Sequence, residues 1–560
     1  MSGTISMQLT AMRNRHARCY GFRHRSTQGF RGTRAASFAP LGVICFVVLL
    51  GQGFVAQAED YFLIIGGGYN PRGNQASLEA NVLFFEQVLR EEHKSPRTTA
   101  VFFADGYDDT ADVQALKPET LPPGPLTKLL TSLHSRGGNS LNVEYRNHRI
   151  PNVAGPISPK HIESSVRRMA ASLKTGDRLV VYATAHGEEA KGKNKHNTLI
   201  SCWNGEKISA LEFSRWLDEV PEQVPVILVM AQCYCGGFAN TIFESVDEHE
   251  PLSEHLRCGF FAQQYDLAAA GCRPDIENDE EYSSFFWGAF AGRSRNGRPM
   301  PNVDCNADGK ISFAEAHAQA VIASDTIDIP LRTSEVLLRR YSRIAGYEHR
   351  GMPKTDEPDD RVAAGDEERK RRAETEAKSL SPMLGSVEQL IDKSSPDVIR
   401  TVTEICKQLS IGTTADVSQV FERYSADSRE FQNVRRSGWR GRRGRSSGRR
   451  ELREEIGEKW PELANPSQWR TSELLASREQ EVVFAEIQTL PSYDRVAKYL
   501  SDREENAAKL EQLELRDVKY QRLINTLEAI VLAQNLPLVA DKQVVQRYQA
   551  MLAVEQQTLQ

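Results

Sequence analysis

The chain has 560 residues, 40% of them hydrophobic and 26% charged, with a formal net charge of −5. That length leaves room for about two to four domains, and the composition excludes a chain disordered throughout. The small net charge excludes nucleic acid or a membrane surface as a partner held by the charge of the whole molecule.

The N-terminus reads as an export signal. Residues 1–40 are rich in Arg and almost free of acid, and "LGVICFVVLLGQGFVAQAED" follows. The apolar core from Leu41 to Leu50 is shorter than the roughly 20 residues that span a bilayer. Ala56-Gln57-Ala58 has the small-x-small form of a signal-peptidase site. The expectation is a signal peptide over 1–58, cleaved after Ala58, and a secreted or periplasmic product with no integral membrane segment; the other reading is an uncleaved anchor. Cys19 and Cys45 leave with the signal. Cys202, Cys233, Cys235, Cys258, Cys272, Cys305 and Cys406 remain, an odd number. In an oxidising compartment at least one thiol then stays free in a monomer. Cys258 with Cys272 is the first pair to consider.

From Tyr61 to about Asp328, apolar runs alternate with helix-like stretches. The runs are "YFLIIGGG", "TTAVFFADG", "RLVVYATAHG", "VPVILVMAQC" and "CGFFAQQY". Most are continuous in apolar residues, as strands buried on both faces are. "ASLEANVLFFEQVLREE" and "SALEFSRWLDEV" between them carry helical spacing. This βαβ rhythm predicts an α/β domain over 59–345, a mostly parallel sheet flanked by helices. In such sheets, sites form at the carboxyl ends of the strands. Residues 346–382 are charged and nearly free of large apolar side chains, which reads as a linker. Residues 383–560 form a mainly helical C-terminal region, with i, i+3, i+4 spacing at Tyr520, Leu523, Ile524, Leu527, Ile530 and Val531.

Two strand ends carry nucleophile chemistry. His186-Gly187 closes "RLVVYATAHG", and Cys233 closes "VPVILVMAQC" roughly fifty residues on, a separation seen between the histidine and nucleophile of some cysteine peptidases. Singly, each is more often a polar turn residue or a buried thiol. Together, on neighbouring parallel strands, they would project from one sheet edge. An imidazole there can act as base for a thiol that is otherwise mostly protonated. The backbone N–H groups of Gly187 and Cys233 can hold an oxyanion. Gly236 and Gly237 would allow a tight turn out of the strand. Cys235 is the competing nucleophile, and it is also a candidate for a disulfide that leaves Cys233 free. Zinc on Cys233, Cys235, Cys202 and His196 is disfavoured, because C-x-C is not zinc spacing. "GGGYNPRGN" after the first run fails the dinucleotide pattern, since Pro71 stands at the last glycine, and it reads as a tight loop.

"YATAHG", "VILVMAQCYCGGF" and "LIIGGGYNPRGNQASLEANVLFF" together resemble the caspase–legumain group of cysteine peptidases, nearest to legumain-like enzymes and their bacterial relatives. The resemblance covers roughly residues 60–330. It implies a caspase-like fold and cleavage of peptide bonds after one favoured residue by a Cys/His dyad. No cofactor takes part in that chemistry. It favours Cys233 over Cys235, which occupies a position that is often Ser. It assigns Asn70 to orienting His186 and places the loop after the first strand beside the substrate pocket, with Arg72 and Asp266 as candidates for its wall. The caspase pattern Gln-Ala-Cys-x-Gly fits neither cysteine. A helical C-terminal region that covers the site until processed is the further implication for 383–560. The alternative is an inactive caspase-like scaffold that binds a partner through its helical region.

"DCNADGKISFAE", residues 304–315, places Asp304, Asn306, Asp308, Gly309, Ser312 and Glu315 at positions 1, 3, 5, 6, 9 and 12 of an EF-hand loop, with the Lys310 carbonyl at 7. The expectation is a structural Ca²⁺; the competing reading is an Asp/Asn turn that caps the next helix. The Arg-rich segment 434–450 reads as a solvated, cleavable loop, or as an anion-binding surface.

Overall fold

A computed structural model of the protein describes residues 59–93, 97–106, 110–116, 124–134, 143–271, 280–347, 380–440, 446–469 and 471–559. Residues 1–58, read above as a signal peptide, most of the expected linker and Cys272 lie outside the described residues.

Five apolar runs become the parallel strands of one sheet: β1 (Asp60–Gly67), β2 (Arg97–Phe103), β5 (Arg178–Glu188), β8 (Val226–Met230) and β9 (Arg257–Phe261). β10 (Leu331–Arg332) pairs antiparallel with β9, and the order across the sheet is β10-β9-β8-β5-β1-β2. A hairpin of β6 (Leu199–Ser201) and β7 (Lys207–Ser209) extends the end of β5, making eight strands. β3 (Val113–Leu116) and β4 (Val143–Arg146) form a separate antiparallel pair. The strands of these two antiparallel pairs and β10 are too short to give a sequence signal of period two. Every residue of β1, β8 and β9 is buried, as their unbroken apolar character requires.

Side chains alternate across the sheet, and the register sorts the helices to its two faces. Phe62, Tyr182 and Phe260 share one face. They meet Phe85 of α1 (Ala76–Glu92), Trp287 and Phe286 of α5 (Tyr282–Ala291), and Phe313 of α6 (Phe313–Ala323). Arg257 points to the other face and donates to Ser214 Oγ (2.7 Å) on α4 (Ala210–Leu217). α3 (Pro159–Ala170) lies beside α4.

The C-terminal helices are built into this core. After α7 (Thr333–Tyr341) come α8 (Val387–Ile391), α9 (Pro396–Gln408), α10 (Val417–Arg440), α11 (Ser446–Lys459), α12 (Ser477–Ile487), the 47-residue α13 (Tyr493–Val539) and α14 (Lys542–Glu555). Tyr520, Leu523, Leu527, Val531 and Leu536 of α13, with Met551 and Val554 of α14, belong to the hydrophobic cluster that contains the sheet. Arg178 of β5 donates bidentately to the buried Asp60 (2.6 and 2.7 Å) and also to Gln557 Oε1 (3.0 Å), which ties the C-terminus to the sheet. α2 (Pro125–His134) packs in a second cluster with α11 and α12 through Leu126, Leu130, Leu452 and Ile456.

Much of the Arg-rich segment is helix rather than loop. Residues 434–440 continue α10, and 446–450 open α11. Arginine is a strong helix former, and Arg449 Nη2 donates to the carbonyls of Ser132 (2.5 Å) and Leu133 (3.0 Å) in the last turn of α2. A cation there also meets the negative end of the helix dipole.

Candidate active site

The sheet reverses its winding at β1, with β2 on one side and β5 on the other. The carboxyl edge at such a switch point is a natural crevice, and the candidate residues gather there. β5 and β8 pair in parallel with Ala183 opposite Met230, and Ala231 N–H donates to Ala183 O (2.9 Å) just past the end of β8. Beyond that bond the two strand ends lead to His186 and Cys233. A β-carbon on Gly187 would stand 1.9 Å from Cys233 O, so glycine is required where the two chain segments touch. The pair predicted to hold an oxyanion, Gly187 and Cys233, is thus brought together.

The imidazole of His186 turns toward the loop after β1. Its Nε2 lies 2.7 Å from Gly73 O and 2.9 Å from Gln75 Oε1. Gln75 Nε2 donates to Arg72 O (3.1 Å), which fixes the amide so that its oxygen faces the ring. With two carbonyl acceptors at Nε2, that nitrogen carries the proton, and Nδ1 of the neutral ring is the free base. Tyr69 meets the ring edge to face, with centroids 5.2 Å apart. Burial lowers the His186 pKa, partly offset by the Gly73 hydrogen bond.

Asn70 does not orient His186 directly. Its side chain accepts from Gly73 N–H (3.1 Å) and caps the short turn Pro71–Gly73, whose last carbonyl receives the imidazole. The orienting groups are Gly73 O and Gln75. The loop is held from beneath by buried Asn74: Oδ1 accepts from Gly68 N–H (3.0 Å), and Nδ2 donates to Asp112 Oδ2 (2.9 Å). Burial, with Asp105 nearby, raises the Asp112 carboxyl to about 7.

Cys233 is half-buried. Its Sγ accepts from Ala269 N–H (3.3 Å) and lies 3.7 Å from Ala269 O. Burial pushes the thiol pKa up, the Ala269 hydrogen bond opposes this, and the Asp328 carboxylate adds to the rise. The hydrogen bonds of the thiol and of the imidazole go to these separate partners rather than to each other. Cys235 is fully buried; Sγ accepts from Gln263 N–H (3.3 Å), lies 3.5 Å from Gln263 O, and is pushed up further by burial. A thiol sealed in this way is a poor nucleophile, which separates the two cysteines. The turn after Cys233 is made by Tyr234, at φ 59°, and not by the glycines. Gly237 instead sits against Thr198 Oγ1, 2.2 Å from where a β-carbon would be.

Arg72 is exposed and lines an open groove of about 530 Å³ with Asn70, Pro71, Ala111 and Tyr145. Asp266 is exposed on the loop after β9 and does not line that groove. Cys258 is buried and free, with its thiol 3.6 Å from Met551 O.

The calcium-like loop is arranged as turns that feed a capped helix. Asp304 accepts from Asp308 N–H (3.2 Å) and Gly309 N–H (2.9 Å), Asn306 from Asp308 N–H (3.0 Å), and Asp308 from Lys310 N–H (2.8 Å). Glu315 turns its carboxylate to Cys305 N–H (2.7 Å) and Ser312 N–H (2.9 Å), in a capping box with Ser312 at the start of α6. Among the described residues, no group of three or more His, Cys, Asp or Glu side chains is placed to hold a metal ion. The side-chain oxygens of Asp304, Asn306, Asp308 and Glu315 are engaged with backbone N–H groups of the loop itself.

Gly73, Gln75, Ala269 and Asp328 had no sequence signal as site residues. Three act through loop backbone or from a helix cap, and Asp328 is a buried acid in an otherwise ordinary turn. No family model matches the sequence. No curated protein matches it. Among solved structures, protein GSU0716 from Geobacter sulfurreducens aligns over 49% of this chain and 92% of its own, at 8% identity and a TM-score of 0.28. A likeness at that level bears on neither fold nor function.

Proposed function

We propose that the protein is an exported cysteine endopeptidase. The observation that carries the reading is the backbone contact of Gly187 with Cys233, which brings together the strand ends that bear His186 and Cys233, with the imidazole fixed by Gly73 and Gln75 so that Nδ1 is the base. Cys233 Sγ attacks the scissile carbonyl carbon, and its proton passes to His186 Nδ1. The oxyanion forms beside the N–H groups of Gly187 and Cys233. His186 then protonates the leaving amine as the C–N bond breaks. Water hydrolyses the thioester, releases the acid and restores the thiol. The resemblance to the caspase–legumain group supports the same assignment.

Cleavage of a peptide library with every residue at P1 tests this, with hydroxylamine added to trap the thioester as a hydroxamate. Hydroxamate formation that is lost in Cys233→Ala supports the reading. Turnover that persists in Cys233→Ala sinks it. One observation favours the second reading, an inactive scaffold: burial pushes the Cys233 thiol pKa up, and the thiol is bonded to Ala269 rather than to His186. A protein that binds peptides from the library without cutting any would fit that reading.

A further inference from the structure

Arg522, on α13, is 2% exposed, and every hydrogen bond of its guanidinium goes to backbone. Nε donates to Asp328 O (2.8 Å), Nη1 to Val321 O (2.9 Å) and Ser324 O (2.7 Å), and Nη2 to Thr326 O (3.0 Å). These carbonyls belong to the end of α6 and the turn that joins it to β10. A buried guanidinium is tolerated only when its donors are satisfied, so this turn is shaped around it. Asp328, fully buried at the end of the turn, accepts from Thr326 Oγ1 (2.9 Å) through Oδ2 and from Ala270 N–H (2.8 Å) through Oδ1. The preceding residue, Ala269, donates its N–H to Cys233 Sγ. Gln263 laces the same two segments: Nε2 donates to Ala268 O (3.1 Å) and Ile327 O (3.2 Å), and Oε1 accepts from Ile329 N–H (3.2 Å). Hydrogen bonds linked through Asp328 and through the Ala269–Ala270 peptide thus join α13 to the thiol.

We propose that Arg522 and Asp328 are positioning residues for Cys233, which makes α13 a strut of the site. This rests on Cys233 as the reacting thiol. The Ala269 N–H is the group positioned; it favours the thiolate, against Asp328 and Glu281, whose charges oppose it. Loosening the strut withdraws that donor and raises the pH needed to ionise the thiol.

The test is the pH dependence of Cys233 alkylation by iodoacetamide in the full-length protein, read by mass spectrometry of the Cys233 peptide. Two variants are compared, Arg522→Met and Thr326→Val. The second removes both hydrogen bonds between Thr326 Oγ1 and Asp328, to Oδ2 and from its N–H, together with the one to Ser324 Oγ, and changes no charge. Leu527→Ala, in the same helix and fully buried, is the control for lost stability alone. The profile shifts to higher pH in both variants, with alkylation near neutrality slowed about tenfold in Arg522→Met, as for one hydrogen bond to a charged acceptor. The control melts at lower temperature with its profile unmoved. Profiles of the two variants that match the control overturn the proposal. If Arg522→Met does not fold, Thr326→Val decides. Alkylation needs no peptide cleavage, so the outcome is independent of whether the protein is a peptidase.

Discussion

Gly187 and Cys233 are in contact backbone to backbone: a β-carbon on the glycine would fall 1.9 Å from the cysteine carbonyl oxygen. The histidine strand and the thiol strand cannot separate or slide there without losing the site. Gly187→Ala therefore costs about 1–3 kcal/mol, the range for overpacking a filled space. It also abolishes reaction with peptide-based thiol probes. Thermal melting together with probe labelling checks both; unchanged labelling would show that the contact is not part of the site.

The Gln75 amide fixes the His186 tautomer, and this gives a prediction with a sign. In Gln75→Glu, a carboxylate stands 2.9 Å from Nε2 in place of the amide oxygen. A negative neighbour favours the imidazolium, so the His186 pKa rises from its lowered value. The acid limb of the pH–rate profile for peptide hydrolysis moves to higher pH, because the base must be neutral. Gln75→Leu removes one acceptor without adding charge, so it lowers the rate with little movement of the limb. Limbs that coincide in all three proteins would remove Gln75 from the site.

Asp112 makes folding stability depend on pH. Its folded pKa is about 7, against about 4 in the unfolded chain, so the folded state binds the extra proton between those values. Stability contributed by the protonated carboxyl is fully present below about pH 4 and is lost as pH rises through about 7. Asp112→Asn keeps an amide near Asn74 and removes this titration. Urea midpoints measured from pH 4 to pH 8 will fall less steeply with pH in the variant than in the parent; equal slopes contradict the assignment.

The sheet was legible because β1, β8 and β9 are buried on both faces, so their sequences are unbroken apolar runs. α1 was legible from its spacing to within its observed ends. The candidate pair, His186 and Cys233, could be read because both residues close such runs. The groups that orient them could not be read: a backbone carbonyl at Gly73 and a backbone N–H at Ala269 leave no residue-type signature, and Gln75 stands where a helix begins. Asn70 was legible as a loop polar group, but its role is one step removed, since it holds the turn that holds the carbonyl. The Arg-rich segment misled for a different reason. Charge and glycine read as loop, while Arg449 finds the open carbonyls of α2, a partner more than 300 residues away in sequence.

The linker at 346–382 separates two stretches of sequence that share one core. Removing everything after residue 350 strips Leu523, Leu527, Val531 and Leu536 from beside the sheet side chains. At about 2–5 kcal/mol for each large buried side chain, the loss exceeds the marginal stability of a typical domain. The truncated chain is therefore expected to aggregate or to lose its cooperative melting transition. Proteolysis confined to 351–379 is expected to leave two fragments that elute together in gel filtration. A truncated protein that melts cooperatively and exceeds the full-length protein in activity would restore the removable-prodomain reading.

The most direct measurement of the central claim is covalent capture by peptidyl acyloxymethyl ketones carrying each P1 residue in turn, followed by peptide mapping. A single adduct on Cys233 is expected, absent in Cys233→Ala, reduced in His186→Ala and retained in Cys235→Ala. An adduct on Cys235, or none with any P1 residue in a folded protein, would contradict it.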